Sequence, residues 1–132
     1  MTHHKNNNKD NHDDELYIEV YQKYLEKARR LIEEHKVLVV ALSWSDACEE
    51  IKTCLQSIKG ELEPFYLELD KEEAMDRVEL QKAFVEITSS NAIPSVFVKG
   101  KHIGSGEEVI ALFHDKKLPE VLEEAGIKLP TK

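Results

Sequence analysis

The sequence predicts an α/β sandwich of three layers, in which a mixed four-stranded sheet lies between helices. Three observations predict it. Residues 37–42 form an unbroken apolar run, Val-Leu-Val-Val-Ala-Leu, the pattern of a strand buried on both faces. A helical apolar period follows directly, and after it a second short strand, so this stretch is a βαβ unit whose strands run parallel. Later in the chain, Val96-Phe97-Val98 and His102-Ile103 flank the tight turn Lys99-Gly100-Lys101, which is a hairpin leading into a helix. A parallel βαβ half followed by an antiparallel ββα half, preceded by one further helix, puts helices on both sheet faces.

The totals set the limits. A length of 132 residues suits one domain, and 41% hydrophobic residues can build a core. A formal net charge of -8 argues against nucleic acid or an anionic membrane surface as partner. No apolar run approaches the roughly 18 residues of a membrane span, and no apolar signal segment opens the chain. Cys48 and Cys54 fall six apart in one expected helix. Their Cα atoms would lie about 9 Å apart, beyond the roughly 7 Å limit for a disulfide. A reducing, cytoplasmic setting is therefore expected.

Taken in order, residues 1–14 are polar, rich in Asn, His and Asp, and read as a disordered tail ahead of a single domain over 15–132. His3, His4 and His12 are metal-ligand types, but nothing in a solvated tail orients three of them. Residues 15–35 predict an amphipathic helix. Tyr17, Tyr21, Tyr24, Ala28 and Leu31 form its apolar face, widened by Val20, Leu25 and Ile32. After the first strand the chain turns through Ser43-Trp44-Ser45-Asp46 and continues as a helix over 47–58, in which Ile51, Leu55 and Ile58 recur with Cys54 beside them. Residues 60–64 are a turn, and 65–69 are the second strand. The charged stretch 71–77 leads to a helix carrying Val78, Leu80, Phe84 and Ile87, ended by Ser89-Ser90-Asn91. Pro94 cannot donate to a ladder, so it stands at the start of the third strand. Residues 104–108 read as a loop entering a helix with Val109, Ile110, Leu112 and Phe113. A last helix holds Leu118, Val121, Leu122 and Ala125 and stops at Gly126.

This succession resembles the thioredoxin fold, and particular stretches narrow it to glutaredoxins. "KARRLIEEHKVLVVALSW" is similar to the family's first helix and strand, and "CEEIKTCL" to the run after its second active-site cysteine. The stretch from Leu80 to Ile127 carries the apolar spacing, the Ile-Pro step, the "GKHIG" hairpin and the Gly-rich approach to a helix. The resemblance covers nearly everything after the tail. It implies a sheet of strand order 2-1-3-4 with an extra N-terminal helix, and a monomer. It also implies glutathione as co-substrate and glutathionylated or disulfide proteins as partners.

Carried over, the resemblance makes Pro94 the family's cis-proline facing the active-site turn. Ile93 would offer its backbone to the cysteinyl part of glutathione. Ser105, Gly106 and Glu107 would hold the γ-glutamyl end at a helix N-terminus. The departures are as informative. Where the family has Cys-Pro-Tyr-Cys or a monothiol variant, this chain has Ser45-Asp46-Ala47-Cys48. Ser45 holds the nucleophile's position, and only the second sulfur is kept. Leu42 replaces a lysine that many members direct at the glycine carboxylate of glutathione, and Ser90 and Asn91 replace basic residues before the proline step.

Thiol–disulfide exchange needs an exposed thiolate of lowered pKa. Ser45 cannot supply one, because an alkoxide without a strong neighbouring base is out of reach. Cys48 has a helix end in its favour and Asp46, Glu49 and Glu50 against it, which leaves a reactive thiol and a buried inert one as alternatives. Asp46 and Glu49 fit a capping box, unless Ser45 itself caps the helix. Trp44 either shields the site or contacts a bound thiol compound, or else simply packs. Iron–sulfur binding in monothiol members uses the first-position thiolate, so no metal is expected here. The expected function is a glutaredoxin-like glutathione-dependent thiol–disulfide oxidoreductase, weak or inactive with Ser45. The alternative is a non-catalytic module that binds glutathione, a peptide or a partner on the same groove.

Overall fold

The computed structural model describes residues 3–58, 60 and 62–130, with only the backbone described for 3–14. Met1, Thr2, Lys59, Thr131 and Lys132 lie outside that range, as does Glu61 of the expected turn at 60–64, and so do the side chains of His3, His4 and His12. The elements are α1 (His3–Glu34), β1 (Val37–Ala41), α2 (Asp46–Gln56), β2 (Pro64–Glu68), α3 (Ala74–Thr88), β3 (Ser95–Val98), β4 (Lys101–Ser105), α4 (Gly106–His114) and α5 (Leu118–Glu124), with one 3-10 turn at Leu69–Lys71.

The sheet order is β2-β1-β3-β4. Val37 to Ala41 pair in parallel with Pro64 to Glu68, and β3 pairs antiparallel with both β1 and β4. All five residues of β1 are buried. Their side chains alternate. Val37, Val39 and Ala41 join Val96 and Val98 under Ile51, Leu55, Val109, Leu118 and Leu122 of α2, α4 and α5. Leu38 and Val40 join Phe97 under Ala28 and Ile32 of α1 and Leu80 and Phe84 of α3. Each face of the sheet thus supports its own hydrophobic core, which is why the central strand lacks the polar alternation of a half-exposed one.

Several expectations are corrected. The backbone of 3–14 is helical, where an unstructured tail was expected. No proline or glycine interrupts 3–34, so a helix nucleated on the packed Tyr24, Ala28 and Ile32 can propagate outward without a second nucleation cost. Tyr17 is not core. It is 54% exposed and stacks on Tyr21 at 6.4 Å. Met75 to Arg77 belong to α3 rather than to a linker. Residues 104–108 are not a loop, since β4 runs to Ser105 and α4 starts at Gly106. The hairpin turn is Lys99-Gly100 at φ 50° and 85°, the left-handed pair that a two-residue turn requires.

Candidate functional site

Strand register brings three segments to one end of the sheet. Val40 faces Ser95, and Ser95 faces Ser105. The turn after β1, the Ile93-Pro94 step before β3, and the β4–α4 junction therefore lie side by side. These are the segments that hold Trp44, Ser45 and Cys48, then Ile93 and Pro94, then Ser105, Gly106 and Glu107.

The turn is built by short-range bonds. The Ser45 N–H reaches the Leu42 carbonyl at 3.2 Å. The Ser43 N–H donates to Asp70 Oδ1 at 2.8 Å, and the Ser43 hydroxyl binds Asp70 Oδ2. These bonds hold the Asp70 carboxyl below the ordinary carboxylate range, the Ser43 hydroxyl being the largest cause. The clamp ties the turn after β1 to the 3-10 turn that follows β2. Sequence patterning offered no sign of it, because the partners are 27 residues apart.

Ser45 is the N-cap of α2. Its Oγ accepts the Cys48 N–H at 3.4 Å, so the helix starts at Asp46 with Ser45, and not Asp46, as its cap. The position expected for the nucleophile therefore carries a hydroxyl at the positive end of a helix whose first turn holds Asp46 and Glu49. Cys48 is 6% exposed, lies in the core, and its Sγ accepts the Leu42 N–H at 3.3 Å. Both cysteines are free and buried. Burial pushes the Cys54 thiol up, and Glu50 adds to this. Of the two alternatives for Cys48, the inaccessible one fits this geometry.

A small cavity of about 10 Å³ adjoins Cys48, lined also by Ser43, Glu49, Lys52 and Tyr66. The Tyr66 hydroxyl is buried without a hydrogen-bond partner among the described residues, and Lys52 lies 5.1 Å above its ring. Burial raises the Tyr66 hydroxyl's pKa, and Glu49 raises it further. Sequence reading had assigned neither residue to the site. Lys52 stands one turn beyond Cys48, and this spacing could have drawn attention to it.

The opposite wall is tightly made. The Ile93–Pro94 bond is cis. The Gly106 N–H donates to the Pro94 carbonyl at 2.8 Å, and a Cβ on Gly106 would fall 2.4 Å from Pro94 Cγ. Only glycine admits that approach. Ser105 caps α4 in a reciprocal capping box. Its Oγ accepts the Glu108 N–H at 3.3 Å, and its N–H donates to Glu108 Oε1 at 2.9 Å, holding the Glu108 carboxyl below its ordinary range. Glu107 is exposed on the first turn of α4. Trp44 is 72% exposed, so of its two expected roles, packing does not hold. Behind Pro94, the buried Ser95 hydroxyl bonds His102 Nε2 at 2.9 Å, and His102 lies against the Phe97 ring. Among the described residues no cluster of three metal-ligand side chains occurs.

A four-stranded mixed sheet of this order, with a cis X–Pro step set against helix N-termini, is a thioredoxin-like fold. No family model matches the chain. Glutaredoxin-C6 of Oryza sativa subsp. japonica is 34% identical over 102 residues, covering 77% of this chain and 88% of that protein. Glutaredoxin-C1 of Arabidopsis thaliana is 33% identical over 100 residues, covering 76% and 77%. Among solved structures, the buckwheat glutaredoxin–glutathione complex superposes with a TM-score of 0.72 at 28% identity, covering 83% of this chain and 96% of the other. Wheat glutaredoxin superposes at 0.69 with 33% identity, covering 80% and 95%. The chain belongs to the glutaredoxin family.

Proposed function

We propose that this chain works in glutathione-dependent thiol–disulfide chemistry as a glutaredoxin-like protein whose own turnover is weak or absent. The observation that carries it is the position of Ser45, which caps α2 at the end of the sheet shared with Ile93-Pro94 and Ser105-Gly106. In exchange, a thiolate at that cap attacks the glutathione sulfur of a mixed disulfide. The S–S bond breaks, the protein substrate leaves as its thiolate, and a glutathione thiolate then attacks the new mixed disulfide and releases oxidised glutathione. Ser45 can make neither bond at neutral pH, and Cys48 is buried behind the cap.

Binding is the part the scaffold retains. The Ile93 backbone is offered to the cysteinyl part of glutathione, and the start of α4 at Ser105, Gly106 and Glu107 to its γ-glutamyl carboxylate. The buckwheat relative's structure contains glutathione. Affinity here should be reduced. Leu42 supplies no cation, Glu107 adds a negative charge, and the Gly106 and Glu108 N–H groups are already bonded to Pro94 and Ser105. Each missing charge-assisted bond is worth about 1.5–3 kcal/mol. The partners proposed are glutathione and glutathionylated or disulfide proteins, met as a monomer in the cytoplasm, where two free thiols are stable.

One observation favours the second reading, a binding module without catalysis: Trp44 is presented to solvent beside a residue that cannot react. Calorimetry with glutathione and a mixed-disulfide reduction assay test the proposal together. Weak binding, in the millimolar range, with little turnover is expected. A dissociation constant well below millimolar refutes the weakened site. Turnover abolished by Cys48→Ser would refute an inert Cys48.

A further inference from the structure

The cavity beside Cys48, of about 10 Å³, lies between helix α2 and the edge strand β2. Cys48, Glu49 and Lys52 line it from the helix, Tyr66 and Glu68 from the strand, and Ser43 from the turn before α2. Tyr66 stands opposite Val39 of β1, so its ring leans on the same core that holds Cys48.

Most of the polar groups here are already engaged. The Ser43 hydroxyl binds Asp70. Glu68 Oε1 lies 3.1 Å from Lys71 Nζ. Lys52 Nζ stands 5.1 Å above the Tyr66 ring. Two donors are left over. The Tyr66 hydroxyl is buried and has no partner among the described residues. Burial, and Glu49 after it, raise its pKa, so it keeps its proton at neutral pH and needs an acceptor. Cys48 Sγ accepts the Leu42 N–H at 3.3 Å, but its own S–H has no acceptor among the described residues. Glu49, an exposed carboxylate, completes the lining on the solvent side. Buried polar groups are nearly always bonded, either to protein or to ordered water. A space of this size holds about one water, and such a water makes about two to four hydrogen bonds.

We propose that this cavity is a hydration site, in which one water accepts the Tyr66 O–H and the Cys48 S–H and donates to the Glu49 carboxylate. The water ties the chain's second sulfur to β2 and holds it as a hydrogen-bonded thiol behind the Ser45 cap. The site goes beyond the glutathione reading, since it stands whether or not the groove binds glutathione.

The test pairs NMR detection of bound water with thermal unfolding, both on the full chain. Water cross-peaks with the sign of a bound molecule should reach the Cys48 Hβ protons and the Tyr66 ring. Tyr66→Phe should lower the melting temperature by roughly 4 °C, because the water loses a partner. An unhydrated hydroxyl predicts the opposite sign, since removing an unpaired buried donor relieves a desolvation cost. A rise in melting temperature would therefore overturn the proposal. So would the absence of a water cross-peak at Cys48, whichever way the melting temperature moves. Cys48→Ser places a hydroxyl donor at the same point, and the water peak at Tyr66 should persist in it. Loss of that peak in a folded Cys48→Ser chain would also overturn the assignment.

Discussion

Helices α2 and α4 both start at the same end of the sheet, and both are capped by serine. The Ser45 and Ser105 hydroxyls accept the N–H three residues on at 3.4 and 3.3 Å. They differ in what answers back. Glu108 returns a bond to the Ser105 N–H, and the next residue, Gly106, packs directly on Pro94. At α2 the third residue is Cys48, which bonds Leu42 instead, and the Ser45 N–H goes to the Leu42 carbonyl. The α4 cap is thus locked into the fold, whereas the α2 cap is held from one side. The difference teaches that the start of α4 and the turn before α2 are built to different tolerances. At 45 the serine supplies a cap to α2 without a sulfur.

The comparison can be broken most forcefully at Gly106. Gly106→Ala must push Pro94 away, and overpacking of this kind should cost about 1–3 kcal/mol. Thermal or denaturant unfolding checks it, and an unchanged midpoint would mean that the two walls are equally tolerant. Next in size, Ser105→Ala should cost about 1 kcal/mol and Ser45→Ala clearly less, because only the first breaks a reciprocal box. Equal losses in denaturant titrations would remove the distinction.

The acid limb sharpens the same contrast. Asp70 and Glu108 have folded-state pKa values below their ordinary ones. Each therefore stabilises the fold above about pH 4, and that contribution is lost as pH falls through the lowered folded value. Asp70→Asn, which loosens the turn before α2, and Glu108→Gln, which loosens the start of α4, should each flatten the fall of melting temperature below about pH 4. Unaltered acid profiles in both would contradict the assigned bonds. Smallest of all, deleting residues 1–14 should change stability by no more than about 0.5 kcal/mol, since the packed part of α1 begins near Val20. A larger loss would show that this segment docks on the domain.

Much of this arrangement was legible in the sequence, for physical reasons. The apolar run of β1, the βαβ spacing and the Lys99-Gly100 turn are local patterns, and they carried the strands, the helices and their parallel and antiparallel halves, whereas the strand order and the shared end for Ser45, Pro94 and Ser105 came from the resemblance to glutaredoxins. The helical backbone before Glu15 was missed because polar composition says little about propagation from a packed helix. The Ser43–Asp70 clamp, the Cys48–Tyr66 cavity and the Gly106–Pro94 contact were not legible. Each joins residues on different elements at distances that only the assembled register decides.

The central claim is the proposal that this scaffold keeps a weakened glutathione groove and has lost the nucleophile beside it. Reduction of a glutathione mixed disulfide by Ser45→Cys tests it most directly, measured from pH 6 to 9 beside the parent chain. A thiol at 45 would have the Cys48 N–H and the α2 end to favour its thiolate, and Asp46 and Glu49 to oppose it. The account predicts turnover well above the parent, rising with pH, and little changed by adding Cys48→Ser. A folded Ser45→Cys chain that stays inactive at every pH would contradict it and leave the binding module as the better description.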